Sequence, residues 1–229
     1  MNLNLHLVRP YAKARKKFKG IFYKNPVVGL GLALPFAVVC SNTLQNAAII
    51  CIAMLLSFVP TMMLASALNK KIPAALHFIA YPSAAAILLI PITLLVTPLS
   101  ANLGDNLGFY LQILAVNSLL IYSVRPCAKM TPQKAAKYAL MNWLGFSLVM
   151  LCLAFIRELL GSGTLWGVPV LAGSFKLSGL AFPFAGFIML GFMMAFIRTL
   201  NRQMYRLLIH IEINRKEEKR VLDAARSLQ

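Results

Sequence analysis

Of the chain's 229 residues, 59% are hydrophobic and 13% charged, about half the charged share of an ordinary soluble domain (roughly 25%). A single soluble core of this size has no room for so much apolar side chain, which excludes an ordinary soluble enzyme and makes lipid the expected solvent. The net charge of +17 would suit nucleic acid only if the cations formed a stripe interleaved with base-stacking aromatics. No such stripe occurs outside the tails.

A bilayer core of about 30 Å takes about 20 apolar residues per helix. Residues 1–24 are basic rather than apolar, so no cleavable signal peptide is expected and the first apolar run directs insertion. That run opens at Asn25-Pro26 and ends near Cys40, short and carrying Gly29, Gly31 and Pro35. After Ser41-Asn42-Thr43, a second run reaches Leu68 and is closed by Asn69-Lys70-Lys71. A third covers Ile72 to about Leu99, with Pro82, Pro91 and Pro98. Residues 100–106 (SANLGDN) form a turn by composition. The fourth run, Leu107 to Val124, is again short, contains Gln112, Asn117 and Ser118, and stops at Arg125-Pro126. A basic loop, 125–137, leads to a fifth run from Tyr138 to Leu160. The Gly-rich stretch 161–179 separates it from a sixth, Leu180 to Ile197. None of these runs alternates with a period of two, so helices rather than a barrel are expected.

Residues 201–229 read as a cytoplasmic helix. Met204, Leu207, Leu208 and Ile211 form an apolar stripe, and Glu212–Lys216 and Lys219–Asp223 are opposite charges four apart. The expected organisation is all-α: a basic cytoplasmic tail (1–24), a membrane domain of six transmembrane helices (25–200) and the C-terminal helix (201–229). Six crossings place both tails and the loops at Lys70-Lys71 and Arg125–Lys137 on one side. That side holds 21 of the 23 Lys and Arg, leaving only Arg157 and Lys176 opposite. The positive-inside rule makes it the cytoplasm and puts both termini there. Such cations orient helices and meet anionic lipid heads, so membrane lipid, and no nucleic acid, is the expected partner.

Ionisable residues are nearly absent from the apolar runs. Asp105 lies in a turn, Glu158 near the outer end of the fifth run and His77 near the inner end of the third. A relay of membrane-embedded carboxylates would need acids at depth, and no hydrolase or transferase constellation is evident, so no catalytic residue is assigned. Cys40, Cys51, Cys127 and Cys152 include no CxxC pair, and no metal site is assigned. The broken runs say more. Backbone interrupted at membrane depth must be covered by protein or face a cavity, and short first runs in each half suggest two inverted three-helix repeats. Asn42, Gln112, Asn117 and Ser118 form a candidate polar pathway, with interhelical hydrogen bonding as the plainer role.

Four stretches together resemble the Rnf/Nqr family of six-helix membrane subunits, especially its RnfE/NqrD branch. They are Asn25-Pro26-Val27 through Leu34-Pro35 with Asn46-Ala47; Ala115-Val116-Asn117-Ser118; Arg157-Glu158-Leu159-Leu160-Gly161-Ser162-Gly163-Thr164-Leu165-Trp166-Gly167; and Phe182-Pro183 with Gly186-Phe187-Ile188 and Gly191. The resemblance implies a bacterial cytoplasmic (inner) membrane location and a sister six-helix subunit of opposite orientation. It further implies other redox subunits, and a [2Fe–2S] cluster shared between the two sisters through two cysteines from each. Such complexes couple NADH, ferredoxin or quinone redox chemistry to Na⁺ or H⁺ translocation. The positions that match the family's cluster cysteines are Leu34 and Ser118, which are not cysteine, so the cluster ligands are expected to be lost here. Cys40 and Cys127, six and nine residues farther on, would serve only a relocated cluster. The expected function is therefore a divergent Rnf/Nqr-type membrane subunit, non-catalytic alone. The alternatives are a small-molecule or ion transporter on the same scaffold, and a structural assembly subunit.

Overall fold

The computed structural model describes residues 25–69, 72–96, 98, 106–170, 177–200, 202, 203 and 206. The N-terminal tail, and nearly all of the helix expected over 201–229, lie outside them. Five helical stretches among the described residues are long and apolar enough to cross a membrane: Leu44–Leu68, His77–Val96, Tyr110–Ala128, Pro132–Ser162 and Pro183–Leu200. The chain is thus an all-α polytopic membrane protein, with one hairpin of two-residue strands among the described residues.

The first apolar run folds as two short helices, α1 (Pro26–Leu30) and α2 (Leu34–Val39). Asn25 starts α1 by accepting hydrogen bonds from the amides of Val27 and Val28 (2.9 and 3.2 Å), and Pro26 needs no donor at that position. Gly31 (φ 69°) ends α1 in the left-handed region, and Ala33 (φ 58°) enters α2 from the same region. Glycine adopts that backbone freely, whereas alanine does so at a cost of about 1–2 kcal/mol.

Helix α3 (Leu44–Leu68) and helix α7 (Pro132–Arg157) pair along their lengths at the centre of the core. Three contacts fix them as antiparallel. Leu44 N donates to Glu158 Oε2 (2.6 Å), Trp143 Nε1 donates to Cys51 O (2.7 Å), and Ser66 Oγ donates to Met130 O. Ala47, Ala53, Ala65, Ala135, Ala139 and Ala154 are buried, letting backbones approach where no hydrophobic effect drives helices together in lipid. Ile50, Met54, Phe58, Met62, Phe146 and Met150 fill the remaining space.

Around this pair lie α4 (His77–Val96), α5 (Asn106–Ile113), α6 (Ser118–Ala128) and α8 (Pro183–Leu200). A 3₁₀ turn, Leu114–Val116, separates α5 from α6. Prolines 60, 82, 91 and 126 sit inside helices, so Arg125-Pro126 does not end the fourth run as the sequence suggested. Membrane helices tolerate proline where neighbouring groups satisfy the freed backbone. Helix α7 starts at Pro132, six residues before the expected Tyr138, because Pro132 suits a first helical position. At its other end a π-helical turn, Glu158–Ser162, carries the chain to Gly163 (φ 70°). Gly163 is therefore the stop and Gly161 lies inside the turn. Thr164–Leu165 then pairs with Val168–Pro169.

Ile79, Ile87, Ile90 and Leu94 on α4, and Phe184, Phe187, Phe192 and Phe196 on α8, are exposed. In water this would be an aggregation surface; in a bilayer it is the lipid-facing or subunit-facing side.

Candidate functional site at the broken helices

The two interrupted runs meet. Ala33 N donates to Ser118 Oγ at 2.8 Å, joining the first residue of α6 to the residue that precedes α2. Their directions follow from other contacts. Asn25 Nδ2 donates to Gly145 O (2.8 Å), while Arg157 donates to Val38 O and to Ser41 Oγ (3.0 Å), so α1 and α2 run alongside α7 in the same sense. Asn117 Nδ2 lies 4.0 Å from Met54 Sδ, and Met130 meets Ser66, so α6 runs alongside α3 in the same sense. Because α3 and α7 are antiparallel, α2 and α6 point away from each other with their N-terminal ends together. At 1.5 Å per residue, Met54 lies about 15 Å along α3, so this meeting point is near the middle of the apolar span Leu44–Leu68.

Asn117 is 1% exposed. Its Oδ1 accepts from Leu119 N (3.1 Å), so it is engaged as the cap of α6. Ser118 is exposed and Leu34 half-buried. The structure therefore brings the two positions assigned to the cluster onto one outward-opening seam. Gln112 is exposed. Asn42 sits at the start of α3, where its Oδ1 accepts from Thr43 N (2.9 Å) and Asn46 Nδ2 (2.7 Å). Of the four candidate polar residues, Asn117 and Ser118 are adjacent, and Asn42 lies about 18 Å away along α3.

The residues at the seam do not fit an iron–sulfur centre. Such clusters are held by thiolates; Leu34 offers only carbon, and Ser118 Oγ is committed to an amide. Cys40, Cys51 and Cys127 are buried and Cys152 is exposed. Among the described residues, no three His, Cys, Asp or Glu side chains group closely enough to hold a metal ion.

A second arrangement, which in the sequence looks like no more than a helix end, fixes one of the broken helices. Arg157 is 1% exposed. Its guanidinium reaches Val38 O and Ser41 Oγ beyond α2, Leu180 O (3.0 Å) and Phe182 O (3.3 Å) before α8. Glu158, also 1% exposed, accepts from Leu44 N, from Gly167 N (2.9 Å) and from Thr164 Oγ1 (3.3 Å). Consecutive residues thus tie α2, α3, α7, the hairpin and the entry to α8 at one membrane end. Arg suits this role because its planar fork presents five donors in fixed directions. An Arg-Glu pair inside an otherwise uncharged run was the signal available in the sequence.

The sequence pattern of the family described as "Rnf-Nqr subunit, membrane protein" matches residues 14–197. The chain belongs to the Rnf-Nqr family. It is 25% identical, over 82% of its length and 90% of the relative's, to the E-type component of a proton-translocating ferredoxin:NAD⁺ oxidoreductase complex of Clostridium ljungdahlii. It is also 25% identical to the D-type component of a Na⁺-translocating NADH-quinone reductase of Pseudomonas paraeruginosa, covering 80% of this chain and 85% of that one. The E-type component of an ion-translocating oxidoreductase complex of Shewanella loihica is 29% identical, over 82% and 87% respectively. The RnfE and NqrD types that the motifs suggested are both represented.

Proposed function

We propose that this Rnf-Nqr chain is a membrane subunit of an ion-translocating electron-transport complex. It would supply scaffold and pairing surface as a divergent paralogue, without its own share of a [2Fe–2S] site. The observation that carries this is the Ala33–Ser118 contact. It joins the two broken helices at Ser118 and at the residue next to Leu34. Ser118 and Leu34 are the two positions to which the family resemblance assigns thiolates, and neither side chain has a thiolate to give.

The packing supports two inverted three-helix repeats. The first run lies parallel to the fifth, and the fourth lies parallel to the second, as exchange of halves about an in-plane axis requires. The α1–α2 run then counts as the sixth, interrupted membrane segment. Exposed Ser118, Pro35 and Val116 border the seam, which suits the sister subunit of opposite orientation. With both tails cytoplasmic, the Arg157–Glu158 end faces outward, in a bacterial inner membrane. This chain's residues satisfy broken backbone at depth and hold α2 in place; redox chemistry resides in partner subunits. Asn117 and Ser118 act as structural hydrogen-bonding groups.

Affinity purification of the tagged chain from its own membranes in mild detergent tests this reading. Co-purification of a second six-helix subunit and of flavin- or iron–sulfur-bearing subunits is expected. Isolation of the chain alone, together with substrate uptake in vesicles containing no other protein, would establish the transporter reading in its place.

A further inference from the structure

The end of the molecule opposite Arg157 holds a cavity of about 420 Å³ between α4 and α6, within the ordinary range for a ligand (roughly 300–1,000 Å³). Among the described residues its polar wall is Asn69, His77, Arg125 and Lys129, with no carboxylate. Arg125 is held with its guanidinium carbon 5.1 Å from the centre of the Phe78 ring. A cation on an aromatic face is positioned without consuming its N–H donors. His77 is tied to Ile72 O (3.1 Å) and forms wall rather than acting as a mobile ligand. The amino end of α4 opens here at His77, and the carboxyl end of α6 closes here at Ala128. Their opposing dipoles offset one another, so the two side-chain cations set the sign of the pocket. Phe78 and Pro82 continue the wall toward the bilayer. Farther along α4, from Ile87 onward, the exposed side chains are apolar, Ile90 and Leu94 among them.

A mouth whose described residues carry cations and no acids, above an apolar helix, is complementary to a phosphodiester carried on acyl chains. We propose that this cavity binds the headgroup of an anionic glycerophospholipid, with Arg125 and Lys129 as donors to the phosphate and the acyl chains lying along α4. The proposal depends on membrane residence and is independent of any electron-transport role. Basic pockets between helices at a membrane's charged face are recognised sites for such headgroups. Free inorganic phosphate shares the charge but lacks the chains that the α4 face would cover.

The test uses the full chain, with any subunits that co-purify, delipidated in detergent and offered phosphatidylglycerol, phosphatidylcholine or inorganic phosphate. Retained lipid is read by native mass spectrometry. Phosphatidylglycerol is expected to be retained over phosphatidylcholine by about tenfold or more, in proportion to two surface-proximal cations, and millimolar phosphate should not displace it. Arg125→Gln with Lys129→Gln should abolish the preference. Lys134→Gln with Lys137→Gln, in the same basic segment but outside the cavity lining, should leave it intact. Asn69→Asp is nearly isosteric, leaves the packing alone and places an anion in the wall; it should weaken retention severalfold. Equal retention of the two lipids would overturn the proposal. So would displacement by inorganic phosphate, or a loss in the Lys134/Lys137 variant as large as that in Arg125/Lys129.

Discussion

Replacing Arg157 by Met keeps the side chain's length and removes its donors. Two of the acceptors left behind, Val38 O and Ser41 Oγ, are buried, and two, Leu180 O and Phe182 O, are part-buried. Val38 O still accepts from Ser41 Oγ (3.1 Å) and Phe182 O from Gly186 N (3.5 Å), so what each loses is a hydrogen bond to a charged donor, worth about 1.5–3 kcal/mol. Taking the low end, about 1.5, for each of the four lost bonds gives roughly 6 kcal/mol. Removing the cation also returns several kcal/mol of desolvation, leaving a net loss of about 3 kcal/mol. Reversible unfolding in mixed dodecylsulfate micelles, followed by far-ultraviolet circular dichroism, measures it. Arg157→Lys keeps the charge, but one ammonium cannot reach acceptors on both sides, so it should recover less than half. An Arg157→Met variant within about 0.5 kcal/mol of the parent, the scale of an ordinary surface change, would refute the reasoning. A fully restored Arg157→Lys would do the same.

Three further outcomes follow from neighbouring contacts. A methyl group on Gly186 would stand 2.9 Å from Val38 Cγ1 and 3.3 Å from Arg157 Cζ. Gly186→Ala should therefore cost about 1–3 kcal/mol, and less in the Arg157→Met background, a coupling that a double-mutant cycle detects. Glu158→Gln leaves a single amide oxygen facing three donors; it should cost about 2 kcal/mol and speed hydrogen exchange at the Leu44 and Gly167 amides. Ser118→Ala removes the acceptor of Ala33 N and should cost about 1 kcal/mol, with faster exchange at Ala33 and unchanged assembly with partner subunits.

Hydropathy was enough to locate the long spans, because lipid forces continuous apolar runs and internally satisfied backbone. The interruptions were visible as Gly29, Gly31 and Pro35 in one run and as Asn117-Ser118 in the other. Their meeting was not visible, since an Ala33–Ser118 contact spans 85 residues and depends on how four helices pack. Helix ends misled where one residue was read alone. Arg125-Pro126 looked like a stop, yet the helix continues through it to Ala128. Thr131-Pro132 looked like loop, yet it begins a helix. Arg157 illustrates the deeper limit. A charge at the end of an apolar run reads as an interfacial residue, and only the packing of α2 and the entry to α8 around it makes it a buried clamp.

The central claim is that the paired breaks have lost their share of cluster ligation. Electron paramagnetic resonance with iron quantification on the purified complex, comparing the parent with Cys40→Ala, Cys51→Ala and Cys127→Ala, tests it most directly. The account predicts the same [2Fe–2S] spin per complex in all four. Disappearance of that signal in any one of the variants, with assembly intact, would contradict it.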